Sequence, residues 1–231
     1  MATLITKRTR MYKPPFKKIN YYNISLDEIK KIHGETRPKL LLHGCCGPCS
    51  CWPLLFLCPH FDVTIMYNNS NIFPEEEYWK RFEELKKLLA FMKTDYGYEV
   101  GLIRTEYNNE EFSKDLDPYK DQKEGGPRCF ICYRKRMSEA FDYAEENGFD
   151  YFTTVMTISR QKNSQILNTI GKGLQTKHKK CKYFFSDFKK DGGINKGASL
   201  RDKYGLYQQL CCGCKYTYEE GIKRAAEKEQ K

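Results

Sequence analysis

The residues of this chain most able to do chemistry are its cysteines, seven of which fall into three short groups. The groups are Cys45, Cys46 and Cys49 in a CCxxC pattern, Cys129 and Cys132 in CxxC, and Cys212 and Cys214 in CGC. Cysteines at such spacings bind one metal centre together or form a redox pair. Seven thiolates exceed what one tetrahedral ion can use, and this surplus is the main indication of function.

The first two groups together predict a polynuclear metal centre. A CxxC spacing alone is typical of a thioredoxin-like redox pair or of half a zinc site. The adjacent Cys45 and Cys46 fit neither well, because neighbouring side chains diverge, whereas a cluster presents several irons and accepts both. Cys129 and Cys132 lie one helical turn apart and bring the thiolates to four or more, a full shell for an iron–sulfur cluster.

The third group predicts a redox function or a second metal. Gly213 lets the backbone bend until the sulfurs of Cys212 and Cys214 meet, which would give a strained and easily reduced disulfide. The same pair could instead ligate a second metal. Asp187 follows a predicted strand and is either a carboxylate ligand or a solvated loop acid. His43, directly before the first group, is more often a strand-end histidine than a ligand.

The elements that must position these groups alternate between strand and helix. Apolar runs predict strands at 39–43, 61–67, 99–104, 151–157 and, more weakly, 183–185. Helical patterns occur at 24–33, 48–57, 75–93, 130–147, 161–170 and 199–209. This alternation predicts an α/β fold of the HUP/PP-loop-like kind, in which a parallel sheet carries helices on both faces.

Such a fold predicts where the cysteines act, because sites in open parallel sheets form at the carboxyl ends of the strands. Cys45, Cys46 and Cys49 follow the first core strand and open the next helix, with Pro48 in its first turn. The partial positive charge of a helix N-terminus favours thiolate over thiol. We therefore expect a cysteine-rich metal site at the carboxyl rim of the strands.

Composition narrows the class of protein and its partners. The 231 residues suffice for one core, and we expect a basic arm at 1–20 followed by a single catalytic domain at 21–231. No apolar run reaches membrane-spanning length and the N-terminus has no apolar signal core, which favours a cytoplasmic protein with no membrane partner. In a reducing cytosol, this cysteine content favours metal or redox catalysis over structural disulfides.

The charge balance indicates a polyanionic partner. The formal net charge is +10, and basic residues concentrate in the arm, beside aromatic residues, and in a second stretch at 172–182. Positive charge beside aromatic rings suits phosphate contact combined with base stacking. We therefore expect nucleic acid as the partner, with Lys177, Lys179 and Lys180 of the second stretch among the contacts.

On these residues the chain resembles the cobalamin-independent epoxyqueuosine reductases, the QueH family. Six segments in matching order carry the resemblance: KLLLHGCCGPCS at 39–50, YNNSNIFPEEEY at 67–78, GGPRCFICYRKR at 125–136, TT at 153–154, DFKK at 187–190 and LYQQLCCGC at 206–214. The family commonly has Asp, Pro, Arg and Tyr where this chain has Asn108, Arg160, Gln208 and Cys211. None of these departures removes a cysteine of the three groups.

The resemblance implies an oxidoreductase that removes the epoxide oxygen of epoxyqueuosine in a tRNA anticodon, a two-electron reduction that gives queuosine. It implies a [4Fe–4S] cluster held by Cys45, Cys46, Cys129 and Cys132. The catalytic residues would be Cys212, Cys214 and Asp187, with the two cysteines as a redox-active disulfide. Alternatively, an additional mononuclear iron would be ligated from the set Cys49, Asp187, Cys212 and Cys214. The sequence has no flavin or nicotinamide motif, so we expect an external electron donor.

Two other functions are compatible with clustered cysteines on a basic chain. An iron–sulfur-dependent tRNA sulfur-transferase uses a similar scaffold but usually needs a phosphate-binding loop after the first strand. Here His43-Gly44-Cys45-Cys46 occupies that position, which argues against ATP-dependent activation. A non-catalytic zinc-binding RNA module is the second alternative, and its metal content would distinguish it from an iron–sulfur enzyme.

Overall fold

The computed structural model describes residues 18–34, 36–209 and 211–220, so most of the predicted arm at 1–20 lies outside the described residues. The helices are α1 (Tyr21–Ile29), α2 (Gly47–Leu57), α3 (Glu75–Tyr96), α4 (Asn109–Lys114), α5 (Pro127–Glu146), α6 (Ser164–Gln175) and α7 (Gly193–Lys203). Short 3-10 helices span Asp117–Tyr119 and Val155–Ile158. The strands are β1 (Lys39–His43), β2 (Asp62–Tyr67), β3 (Gly101–Arg104), β4 (Tyr151–Thr154) and β5 (Lys182–Tyr183).

All five strands lie in one parallel sheet in the order β3-β2-β1-β4-β5, with β1 at its centre. Leu40, Leu41 and Leu42 of β1 are completely buried, since strands flank β1 on both sides and helices cover both faces. A run of consecutive apolar residues is what such a strand requires. The predicted parallel α/β fold is confirmed, while the HUP/PP-loop-like assignment stays a prediction.

The helices on both faces of the sheet fix the register of β1, and therefore the position of the loop that follows it. Successive side chains of a strand point to opposite faces. Leu40 and Leu42 therefore join a core with Leu54 of α2, while Leu41 joins a second core with Met137 of α5. Because full burial of a leucine contributes about 1.5–3 kcal/mol, slipping the strand by one residue would be costly.

Three elements near the carboxyl edge of the sheet differ from the prediction in their bounds or in their presence. The strand expected at 151–157 ends at Thr154, because the hydroxyl of Thr154 accepts a hydrogen bond from the Met156 amide at 3.1 Å and begins a 3-10 turn. The helix expected at 199–209 is α7, which begins and ends earlier. Helix α4 was not predicted; Asn108 caps it by accepting from the Glu111 amide.

The second basic stretch lies at the opposite edge of the sheet from the cysteine loop. Helix α6 leaves the carboxyl end of β4 and returns the chain to the amino ends, where Lys182 pairs with Tyr151 at the start of β4. The amides of Lys179 and Lys180 donate to the carboxylate of Glu145, near the C-terminus of α5. Among the described residues, no helix is long and apolar enough to cross a membrane.

Candidate metal centre at the carboxyl edge of the sheet

Three cysteines of the first group converge where β1 passes into α2. The sulfur atoms of Cys45, Cys46 and Cys49 all lie within 4.8 Å of one another, and those of Cys45 and Cys46 are 3.9 Å apart. Gly47 makes this arrangement possible, because a side chain there would lie 2.7 Å from the Glu84 carbonyl oxygen of α3. We call these three residues the cysteine triad; it includes Cys49, which the sequence offered only as a possible ligand of an additional iron.

One sulfur of the triad, that of Cys45, is stabilised as a thiolate by the other two. The pKa of Cys45 is well below that of an ordinary thiol, because the thiols of Cys46 and Cys49 donate hydrogen bonds to its sulfur. The same interaction raises the pKa values of Cys46 and Cys49, which keep their protons. Gln209 adds a side-chain amide that donates to the Cys46 sulfur at 3.0 Å. The expected thiolate at this helix N-terminus therefore belongs to one of the three sulfurs.

The second group begins α5. The sulfur of Cys129 accepts a hydrogen bond from the Gly125 amide at 3.2 Å, in the turn before the helix. Cys132 lies one turn further on, in a buried cluster that also contains Cys214 of the third group. Burial raises the pKa of Cys132 to about 11, although Arg136 opposes the shift. The second and third groups thus meet beside α5.

The third group consists of free thiols held in place by an arginine. The guanidinium of Arg81 donates to the carbonyl oxygens of Cys212 and Cys211 at 3.0 and 3.4 Å, and to Glu77 at 2.7 Å. Gly213 has a φ of +95°, and a side chain there would lie 2.6 Å from Arg81. The glycine is therefore required by its left-handed backbone and by the close approach of Arg81. The predicted Cys212–Cys214 disulfide is absent here, where all eleven cysteines are free.

Asp187 occupies the loop after β5 and is 5% exposed. Its carboxylate accepts a hydrogen bond from the Ser164 hydroxyl at 2.9 Å and lies 3.5 Å from the ammonium of Lys189. It is thus a buried carboxylate and not a solvated loop acid. In the described parts of the chain, the triad alone groups three or more candidate metal ligands within 4.8 Å. The ligand roles of Asp187 and of Cys129 and Cys132 remain predictions.

A large cavity opens beside the triad. It has a volume of about 1120 Å³, and its walls include Cys45, Cys49 and Cys212, from the first and third groups. Cations also line it, among them Arg136 and Lys162. Burial alone lowers the pKa of Lys162, but the sulfurs of Cys212 and Cys45 and the phenolic group of Tyr133 raise it above its ordinary value. The cavity therefore combines thiols with fixed positive charge.

Sequence analysis did not identify several residues of this site. Arg81, Arg136 and Lys162 resemble any surface cation in the sequence, and Gln209 resembles any loop amide. Arg136 and Gln209 lie inside the segments that carry the family resemblance, which was their only signal, whereas Arg81 and Lys162 lie outside those segments. His43, in contrast, behaves as predicted for a strand-end residue: its Nδ1 lies 2.7 Å from the Thr154 hydroxyl, and burial lowers its pKa to about 3.

The chemistry of the donor set fits an iron–sulfur centre. Thiolate sulfur is the usual protein ligand of such clusters, and clusters can accept adjacent cysteines on different irons. The triad supplies three such donors, and the second group lies at the start of a helix whose later turn carries Arg136 towards the same cavity. Zinc accepts thiolates as well, so the donors restrict the cofactor to thiophilic metals without distinguishing the two.

Fold and site together define a class: a parallel α/β protein with a thiol-rich centre at the carboxyl edge of its sheet. A family profile described as "Epoxyqueuosine reductase QueH" matches residues 40–220. A protein of Streptococcus pyogenes with the same description is 36% identical over 204 residues, covering 88% of this chain and 80% of the relative. Relatives with that description from Staphylococcus aureus and Thermotoga maritima are 35% and 32% identical, over 89% and 81% of this chain and 87% and 94% of their own lengths.

The chain therefore belongs to the epoxyqueuosine reductase QueH family. This confirms the resemblance drawn from the sequence segments, and it places the protein among oxidoreductases of tRNA queuosine biosynthesis. The matched segment contains β1 from Leu40 onwards, the other four strands and all three cysteine groups.

Proposed function

We propose that this protein reduces epoxyqueuosine in tRNA to queuosine with an iron–sulfur centre. The observation that carries the proposal is the convergence of the cysteine triad on a cavity of about 1120 Å³ in a chain of this family. The net reaction consumes two electrons and two protons, breaks both C–O bonds of the epoxide and releases its oxygen as water. An external one-electron donor supplies the electrons.

In this proposal the three cysteine groups have different functions. Held by Cys45 and Cys46 together with Cys129 and Cys132, a [4Fe–4S] cluster would supply one-electron chemistry at the cavity wall. Cys49, in contact with the first pair, is a further candidate ligand. More than one combination of these cysteines could supply the ligands, and single substitutions identify which of them bind the cluster.

Cys212 and Cys214 are proposed as the second redox element. As a dithiol the pair carries two electrons and two protons, the amount that one epoxide consumes, and it forms a disulfide when it gives them up. The external donor then restores the dithiol. Alternatively, the pair would ligate an additional iron with Asp187, whose Oδ1 is buried without a hydrogen-bond partner in the described structure. Lys162 lines the cavity wall, and in this proposal its ammonium donates a hydrogen bond from Nζ to the departing oxygen.

The direct test is anaerobic reconstitution with iron and sulfide, followed by an assay on tRNA that contains epoxyqueuosine. We expect conversion to queuosine when a strong one-electron reductant is present. An iron-loaded protein that leaves the epoxide intact under these conditions would show that the reductase proposal is wrong. Zinc without acid-labile sulfide in anaerobically purified protein would favour a zinc-binding RNA module, and tRNA-stimulated ATP hydrolysis would favour a sulfur-transferase.

The position of the cavity also predicts where tRNA binds. Arg160 is exposed on the cavity wall, whereas Lys179 is exposed at the opposite edge of the sheet. If the anticodon enters the cavity, Arg160→Glu should weaken tRNA binding about tenfold and reduce its salt dependence, since each lost phosphate contact lowers the salt slope by about one. Lys179→Glu makes the same change in net charge in the basic stretch where the sequence predicted contacts, and it is the matched control because that stretch lies away from the cavity. Equal losses in both variants, measured by binding titrations at several salt concentrations, would contradict this placement.

A further inference from the structure

A buried arginine of the site has no carboxylate partner. Arg136 of α5 is 2% exposed. Its guanidinium donates to the side-chain oxygen of Asn69 at 3.2 Å and contacts the sulfur of Met156 at 3.0 Å, both of which are neutral. Its Nε has no hydrogen-bond partner among the described residues. Glu139, one turn further along α5, receives its hydrogen bond from Asn68 and not from Arg136.

The other buried arginines of the described structure are compensated differently. Arg81 pairs with Glu77 at 2.7 Å and donates to two carbonyl oxygens. Arg128 donates to the carbonyl of Lys120 and lies 4.5 Å from the ring centre of Tyr216. Burying a charge without a partner costs several kcal/mol, and Arg136, unlike Arg128, lies on the cavity wall, where a bound anion would face it.

The groups of opposite polarity that face Arg136 are cysteine sulfurs. Arg136 lines the cavity together with Cys45 and Cys212, and Cys132 lies one turn before it on α5. Burial lowers the pKa of Arg136, but the sulfurs of Cys132, Cys212 and Cys45 raise it. These three residues come from the three different cysteine groups. The other titratable groups that face Arg136 are Lys162, His43 and Tyr133, none of which is a carboxylate. Arg136 is thus a positive charge surrounded by the thiols of the site.

We propose that Arg136 is the fixed counter-charge of the iron–sulfur centre held by the cysteines, and that it raises the reduction potential of that centre. The proposal rests on the iron–sulfur cofactor of the proposed function. Reduction adds one negative charge, and a nearby buried cation stabilises the reduced state more than the oxidised state. Arg136 would act through the cluster and not on the substrate itself, so it is a positioning residue. Asn69 holds it, and the same amide donates to the Gly44 carbonyl at 2.7 Å, directly before the triad.

The test is the midpoint potential of the full-length reconstituted protein, followed by visible absorbance and by electron paramagnetic resonance. Arg136→Gln removes the charge and should make the potential more negative than in the wild type, whereas Arg136→Lys keeps the charge and should largely preserve it. Arg134→Gln removes an exposed charge from the same helix and should leave the potential unchanged. Asn69→Asp gives the guanidinium a carboxylate partner of similar size, and it should shift the potential in the same direction as Arg136→Gln.

Iron and sulfide per chain are measured in every variant, so that the potentials compare equally loaded proteins. Equal potentials in Arg136→Gln, Asn69→Asp and Arg134→Gln, at equal cluster content, would overturn this inference and leave the proposed function standing. A wild-type protein that takes up neither iron nor sulfide would overturn both. If Arg136→Gln assembles too little cluster for measurement, the Asn69→Asp variant decides between the two results.

Discussion

Cys45→Ser is expected to lose most of the iron and sulfide that the wild-type protein takes up during anaerobic reconstitution. Cys45 carries the stabilised thiolate of the triad, and its sulfur accepts hydrogen bonds from both Cys46 and Cys49. A serine hydroxyl is a far weaker ligand for thiophilic metals. Because even residues that only support metal ligands typically change affinity 10- to 100-fold, we expect at least about a tenfold loss of iron binding and of epoxide reduction.

Cys51→Ala is the matched control for this loss. Cys51 lies on α2, two residues after Cys49 of the triad. It is packed in the apolar core, and burial raises the pKa of its thiol to about 12. It should retain the metal content of the wild type. Iron and sulfide analysis of both variants makes the comparison, and an equal loss in Cys51→Ala would show that general destabilisation, not ligand removal, is responsible.

The same measurement separates two ligand sets. The family resemblance places Cys129 and Cys132 on the cluster with Cys45 and Cys46, whereas the structure brings Cys49 to the latter pair. Loss of iron in Cys129→Ser with retention in Cys49→Ser would support the first set. The reverse result would support the triad, with the second group in another function.

The fold was predictable where a single property dominates each element. Strand β1 was located to the residue because a short run of three leucines between polar residues is typical of a central parallel strand. Strand β4 was predicted too long, because the apolar run continues through Val155 and Met156 into the 3-10 helix. Apolar character alone does not distinguish a strand from the turn after it; the Thr154 hydroxyl that starts the turn does.

The site was predictable only as far as its contacts are local in the sequence. The triad follows from the CCxxC pattern at a helix start, since residues so close must converge. The charges that surround it come from α3, α5 and the loop before α6, and their function depends on partners that folding brings or withholds. Arg136 is distinctive because it is buried on the cavity wall without a carboxylate partner, a property that no sequence pattern expresses. The position of Asp187 likewise depends on Ser164, which lies on α6, as well as on Lys189 of the same loop.

Gly213→Ala is expected to have the second large effect, because it forces the third cysteine group out of place. The new methyl group would lie 2.6 to 2.8 Å from three atoms of the Arg81 guanidinium, closer than such contacts occur. Arg81 cannot retreat without losing its bonds to Glu77 and to the Cys212 carbonyl.

The expected result is a loss of epoxide reduction on the order of 100-fold, since a displacement of about 1 Å in a catalytic group has effects of that size. The iron content of the protein should be largely retained, because the triad lies on a different element. Gly205→Ala is the control: Gly205 also has a positive φ, +56°, but nothing lies within 4 Å of the added methyl group. Both variants carry the backbone strain of an alanine in the left-handed region, about 1–2 kcal/mol. Only Gly213→Ala also displaces Arg81 and the cysteines that it holds. Turnover and thermal unfolding of the two variants separate these causes, and similar turnover in both would contradict a positional function for Cys212 and Cys214.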